Sequence, residues 1–168
     1  MVSLFSPLQI GSLKLANRVF MAPLTRMRAG PGEAPVALNE LYYEQRSSAG
    51  LIVTEATQVS FLAQGYPSTP GIFSPAQIKG WKGVTEKVHA KGGKIFAQLW
   101  HCGRVSHSSF HEKDGLPLAP SAVKLVGKAF TSAFKMVPYE TPREATLADI
   151  QQVLAEFKQA SLNAKEAG

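Results

Sequence analysis

A chain of 168 residues that is 45% hydrophobic and 18% charged has the composition of one soluble globular domain, spanning residues 1–168, rather than of a disordered segment. No apolar run approaches the roughly 20 residues of a membrane span, and "MVSLFSPLQIGSLKLANRVF" lacks the basic start and long apolar stretch of a leader, so a cytoplasmic protein with no membrane partner is expected. The net charge of +6 raises nucleic acid as a partner, but the basic residues scatter from Lys14 to Lys165 and none is expected.

In chain order, "RVFMAPLT" is a short apolar run ending at a proline and reads as a buried strand. "PVALNELYYEQRSSAG" follows, with Leu38, Leu41, Tyr42 and Ala49 at helical spacing and Gly50 as a stop. The second strand, "GLIVTEAT", is apolar on both faces, as a strand covered on both sides should be. In the next helix Ser74 is the N-cap, Pro75 the first helical residue and Gln77 the partner in a capping box before Ile78, Trp81, Val84 and Val88; Gly92 and Gly93 close it. Lys79, Lys82, Lys87, Lys91 and Lys94, the densest basic group, form its solvated face.

"KIFAQLW" is the third strand. An excursion of about forty residues, Gly103 to Arg143, is far longer than an ordinary connection and suggests cover for a site. The last helix starts at Thr146 with Asp149 three residues on, and Leu147, Ile150, Leu154, Phe157, Ser161 and Ala164 trace its expected buried face. This alternation predicts an α/β fold with a parallel sheet of about three β/α units, whose outer strands would be open apolar edges.

"IFAQLWHCGRVSH" concentrates the candidate chemistry. His101 and His107 have no second spaced pair, so no metal site is expected. Cys102, the only cysteine, would need a base and a third group to act as a nucleophile, and its sequence neighbour His101 is poorly placed to help. Gln98 is different: an unpaired amide in a buried strand costs about 1 to 3 kcal/mol, so it should have a partner. At the carboxyl ends of the strands stand Pro23, Leu24 and Thr25, then Ala56, then Gln98 and Trp100. A hydroxyl, a small side chain and a primary amide on one rim suit the amide-like edge of an isoalloxazine; they are also ordinary strand-end residues, and spacing alone leaves both readings open.

"NRVFMAPLTR", "YYEQRSSAGLIVTEATQVS", "GYPSTPGIFS", "GWKGVTEKVHAKGGKIFAQLWHCGRVSH" and "LAPSAV" together resemble the old yellow enzyme family, most closely its N-ethylmaleimide and alkene reductase branch. The resemblance implies the N-terminal portion of a (β/α)8 TIM barrel, completed by another chain or segment, and an FMN-dependent ene-reductase that consumes NADPH or NADH. Its substrates would be activated alkenes such as enones, maleimides and nitroalkenes, reduced by ping-pong hydride transfer. It implies that Pro23, Leu24, Thr25, Ala56 and Gln98 contact the FMN ring, that Thr25 tunes the flavin, and that Tyr66 and Trp100 line the substrate pocket. The His, the Asn or second His and the Tyr that bind and protonate substrate in the family would lie beyond Gly168, so no catalytic acid is expected in this chain. The expected partner is a complementary chain carrying the remaining β/α units, or, in a non-catalytic half-barrel, further copies of the same chain.

Overall fold

The computed structural model describes residues 2–111 and 115–168. A hairpin of β1 (Leu8–Ile10) and β2 (Leu13–Leu15) comes first, paired antiparallel and unforeseen in the sequence because each strand is only three residues long. The central sheet then assembles from β3 (Phe20–Met21), β4 (Leu51–Gln58) and β5 (Ile95–Trp100), all parallel, with β4 in the middle. This is the expected alternation, although the first strand is shorter than "RVFMAPLT" suggested.

Register decides which face is packed. Met21, Ile52 and Ile95 stand side by side across the sheet, and Ile52 and Ile95 enter the core with Tyr43, Trp81, Val84, Val88, Ala160 and Ala167. Those partners come from α1 (Ala37–Glu44), α2 (Pro75–Ala90) and α3 (Leu147–Glu166) with its C-cap Ala167. On the opposite face, Phe20 and Phe96 are exposed and Val53 is only half-buried. The outer strands β3 and β5 are therefore flanked by uncovered apolar side chains.

α1 stops at Glu44 rather than running to Gly50, and it buries Asn39 and Tyr43 while Leu38 and Leu41 stay exposed. Tyr42 is held between cations instead, with the Arg26 guanidinium 4.4 Å and the Arg46 guanidinium 3.8 Å from its ring centre. α2 follows its sequence signals closely. Ser74 Oγ accepts the Gln77 N–H at 3.3 Å, and Gln77 Oε1 accepts the N–H groups of Phe73 and Ser74. Trp81, Val84 and Val88 are buried, and the Trp81 indole N–H donates to the Gly71 carbonyl at 3.0 Å. The five lysines are exposed, with Lys87 paired to Glu40 and Lys91 to Glu44 on α1. Gly80 lets α2 approach Pro35: a methyl group there would overlap the Pro35 carbonyl oxygen.

The excursion is not structureless. It carries β6 (Leu118–Ala119) paired in parallel with β9 (Arg143–Glu144), and the antiparallel hairpin of β7 (Lys128–Phe130) and β8 (Met136–Pro138). Glu140 pins it back on itself: its carboxylate accepts the Ser108 N–H at 2.6 Å and the Ser108 hydroxyl at 2.8 Å, with His107 Nε2 at 3.7 Å.

α3 begins as expected, with Thr146 Oγ1 accepting the Asp149 N–H and the Asp149 carboxylate accepting a bidentate pair from Arg143 at 2.7 and 2.8 Å. Its buried face differs from the expectation. Ala160, Asn163 and Ala167 are buried, with Phe157 and Ala164 packed beside them, whereas Leu147 is 79% and Leu154 65% exposed and Ile150 and Ser161 also face outward. Small residues let the second half of the helix sit close to α2 and β5. The first half extends past them, over a groove of about 330 Å³ that Ile150 and Leu154 line together with His101, Leu118 and Pro120. No helix among the described residues is long and apolar enough to cross a membrane.

Two stability outcomes follow from these anchors. Asn163 Nδ2 donates to the Ile72 carbonyl at 2.7 Å from a buried position, so Asn163→Ala should lower stability in urea unfolding by about 1 to 3 kcal/mol, more than the roughly 1 kcal/mol of a lost cap in Ser74→Ala. Burial raises the pKa of Glu140, but the two Ser108 hydrogen bonds and the nearby His107 and His111 outweigh it and hold the carboxyl below its ordinary value. A depressed carboxyl stabilises the fold above its unfolded pKa of about 4.3, and that contribution disappears as the pH falls through the folded value. Melting temperatures recorded from about pH 6 down to pH 3 should therefore fall less steeply in Glu140→Gln than in the wild type.

Candidate active site

The rim of the sheet is organised by an irregularity in β4. Between Val53 and Ala56 the register with β5 shifts: Val53 lies opposite Phe96, and Ala56 lies opposite Gln98. The shift removes a ladder partner from the Gln98 backbone N–H, which donates instead to the Thr54 hydroxyl at 3.1 Å. That hydroxyl in turn donates to the Glu55 carbonyl at 2.8 Å. Ala56 and Gln98 are thereby fixed side by side across the two strands, Ala56 buried and the Gln98 side chain on the open face that it shares with Phe96, two residues before it on β5.

Gln98 itself departs from the sequence expectation. Its side chain is exposed, and its amide meets no hydrogen-bond partner among the described residues. A strand apolar in sequence is buried on both faces only when both faces are covered, and here one is not.

Pro23, Leu24 and Thr25 follow β3 in a stretch with neither helix nor strand. Pro23 and Leu24 are exposed and Thr25 is half-buried. The next residue ties this stretch to β4: the Arg26 N–H donates to Glu55 Oε2 at 3.1 Å. Glu55 is fully buried. The Tyr43 hydroxyl donates to its Oε1 at 3.2 Å, and the Glu55 backbone N–H donates to the Tyr43 oxygen at 2.8 Å. Burial raises the Glu55 pKa, opposed by the Arg26 N–H, the Tyr43 hydroxyl and the Arg26 charge. Neither Thr54 nor Glu55 stood out in the sequence, although two polar residues inside "LIVTEAT" are the trace they leave there.

At the far end of the rim, the rings of Tyr66 and Trp100 stack with centres 5.7 Å apart and planes 15° from parallel. Trp100 lies opposite Gln58 on β4, whose Oε1 accepts the Thr69 hydroxyl at 2.8 Å. The two residues that the resemblance placed in the substrate pocket are thus packed ring on ring, and the Trp100 indole nitrogen is buried without a partner among the described residues.

The histidines serve as local braces. His101 Nδ1 accepts the Gly103 N–H at 3.0 Å, and burial lowers the His101 pKa. His107 Nδ1 accepts the Ser109 N–H at 3.0 Å. Burial pushes the Cys102 thiol up to about 12, which opposes thiolate chemistry at neutral pH.

Comparison with known proteins brings this geometry into context. Residues 3–168 match the model of the NADH:flavin oxidoreductase / NADH oxidase family. The chain is 46% identical to flavin oxidoreductase hxnT of Emericella nidulans across 98% of its own length and 43% of that protein. It is 39% identical to 12-oxophytodienoate reductase 1 of Oryza sativa across 99% of its length. Among solved structures, morphinone reductase superposes with a TM-score of 0.93 at 49% identity, covering 99% of this chain and 46% of that one. The old yellow enzyme homologue of Zymomonas mobilis gives 0.93 at 42% identity. The chain thus spans less than half the length of the relatives it matches, and its parallel sheet with flanking helices is the N-terminal portion of their α/β barrel. With the family model matched from residue 3 to residue 168, the chain belongs to the NADH:flavin oxidoreductase / NADH oxidase family, that of the old yellow enzyme homologues.

Proposed function

We propose that this chain supplies the pyrimidine-edge contacts and one wall of the substrate pocket in an FMN-dependent, NAD(P)H-consuming reductase of activated alkenes, acting once the remaining β/α units of the barrel are present. The observation that carries the reading is the pairing of a buried Ala56 with an exposed Gln98 whose amide is uncovered, two residues from the Trp100 that stacks on Tyr66. These residues fit a flavin edge. The Gln98 amide offers an unused donor and an unused acceptor, and Ala56 beside it presents only a methyl group, which leaves a flat ring room to approach the sheet. Such a flavin, when bound, supplies two-electron chemistry between NAD(P)H and an activated C=C bond.

The protein's own residues have distinct tasks in this reading. Gln98 would hold the ring edge, its amide NH2 donating to a ring carbonyl and its amide oxygen accepting from a ring N–H. The Thr25 hydroxyl would serve as a donor to a second ring oxygen and so would favour the reduced, more negative ring. Tyr66 and Trp100 exclude water from one side of the pocket and orient a flat, conjugated substrate. The proton that completes alkene reduction comes from an acid on the remaining units. Morphinone reductase has been solved in complex with tetrahydroNAD, which supports a nicotinamide reductant for the complete barrel here as well.

The test is reconstitution: the chain mixed with a polypeptide carrying the remaining β/α units should turn yellow and oxidise NADPH or NADH in the presence of an enone. A purified mixture that takes up no flavin would sink the proposal, and self-association without flavin would favour a non-catalytic half-barrel. In the reconstituted protein, Gln98→Ala should weaken flavin binding by about 1 to 3 kcal/mol in a fluorescence titration, the cost of leaving ring polar groups unpaired. Thr25→Ala should lower the flavin midpoint potential, because the lost donor favours the reduced ring over the oxidised one. An unchanged potential in a redox titration would place Thr25 away from the ring.

A further inference from the structure

The segment expected to meet the flavin has little of its own to hold it in place. From Ala22 to Ala29 the backbone forms neither helix nor strand. Among the described residues, two main-chain N–H groups tie it to the rest of the fold: the Ala29 N–H donates to the Ser68 carbonyl at 3.0 Å, and the Arg26 N–H donates to the Glu55 carboxylate at 3.1 Å. The second lies one residue from Thr25.

We propose that Glu55 is the positioning residue of this segment, its carboxylate holding Pro23, Leu24 and Thr25 against the end of β4 by accepting the Arg26 N–H. The inference rests on the reading that these residues edge the flavin, and it extends that reading to a residue that does not itself reach the ring face.

Glu55 has the properties a fixed post requires. Its side chain is wholly buried. Both carboxylate oxygens are engaged, Oε1 by the Tyr43 hydroxyl at 3.2 Å and Oε2 by Arg26. The Tyr43 oxygen also accepts the Glu55 N–H at 2.8 Å, so the carboxylate cannot swing without breaking a closed set of bonds between β4 and α1. Arg26 is held a second time, its guanidinium resting over the Tyr42 ring at 4.4 Å. A buried carboxylate is a costly way to stabilise a sheet, and an apolar residue of the same volume often serves as well or better. What the carboxylate adds is an acceptor at a defined point, facing a backbone donor in a loop that no ladder secures.

The experiment compares Glu55→Ala, Glu55→Gln and Glu55→Asp. In the reconstituted, flavin-loaded protein, Ala and Asp should weaken flavin binding about tenfold, the scale of one misplaced hydrogen-bonding group, and should shift the visible flavin band. Gln, whose carbonyl oxygen can still accept the Arg26 N–H while its NH2 turns towards the Tyr43 oxygen, should stay within about threefold of the wild type. Amide hydrogen exchange at Arg26, measured on the flavin-free chain, should quicken in Ala and Asp and stay slow in Gln. If Ala fails to fold, the contrast between Gln and Asp carries the same decision, because Asp retains the charge and loses only the reach. Equal flavin affinity and equal Arg26 exchange in Gln and Asp would overturn the proposal. Should the wild-type mixture take up no flavin, the reading of the site fails, and the exchange rates at Arg26 still decide whether Glu55 tethers the segment.

Discussion

The interior of β4 is polar where a central strand is ordinarily apolar, and the architecture answers that demand. Thr54, Glu55, Thr57 and Gln58 are all buried in the middle strand of the sheet. Buried polar groups are costly unless paired, and all of these but the Gln58 amide nitrogen find a partner among the described residues. The pairing draws in each neighbour: α1 through Tyr43, the segment after β3 through Arg26, β5 through the Gln98 N–H, and the loop after β4 through Thr69. Shape and site are therefore coupled, since the bonds that make the strand tolerable also place the rim residues.

The two faces of the sheet have opposite characters. Helices cover one, with Ile52, Ile95, Trp81, Val84 and Val88 in contact. The other presents Phe20, Phe96 and Gln98 uncovered. In a closed barrel the inward face is filled by layers of side chains from all the strands, and this chain spans only 43% and 46% of two of the relatives it matches. The outward-facing Leu147, Ile150 and Leu154 at the start of α3 follow the same pattern. The apolar residues left uncovered here lie along the outer strands and the first half of the last helix.

Much of the fold was legible because its signals are local. Ser74, Pro75 and Gln77 define the start of α2 within four residues, and the spacing of Trp81, Val84 and Val88 defines its inner face. Thr146 and Asp149 do the same for the start of α3. Burial was harder to read, because periodicity gives a helix's apolar stripe without saying what lies against it; Leu147 and Leu154 fit the stripe and face outward, while Asn163 is buried with its amide donating to the Ile72 carbonyl and accepting from Gln159. Gln98 was singled out for a buried amide that it does not have, and Ala56 emerged beside it through a register shift that no local pattern announces. Thr54 and Glu55 were missed for the same reason, since their partners lie far away in sequence. The short strands of the excursion, two or three residues each, leave no periodic trace at all.

Cys102 packs against Gly65 so closely that a methyl group at Gly65 would stand 2.7 Å from the sulfur. With the thiol also held up to about 12 by burial, the chain's single cysteine is a poor target for alkylating reagents at neutral pH. The molecule is thus a near-blank background for site-directed labelling: one new cysteine on an exposed helix position such as Lys82 or Gln151 would carry a fluorophore or spin label alone. Distances between such a probe and a second barrel segment can then be followed without first removing the native thiol.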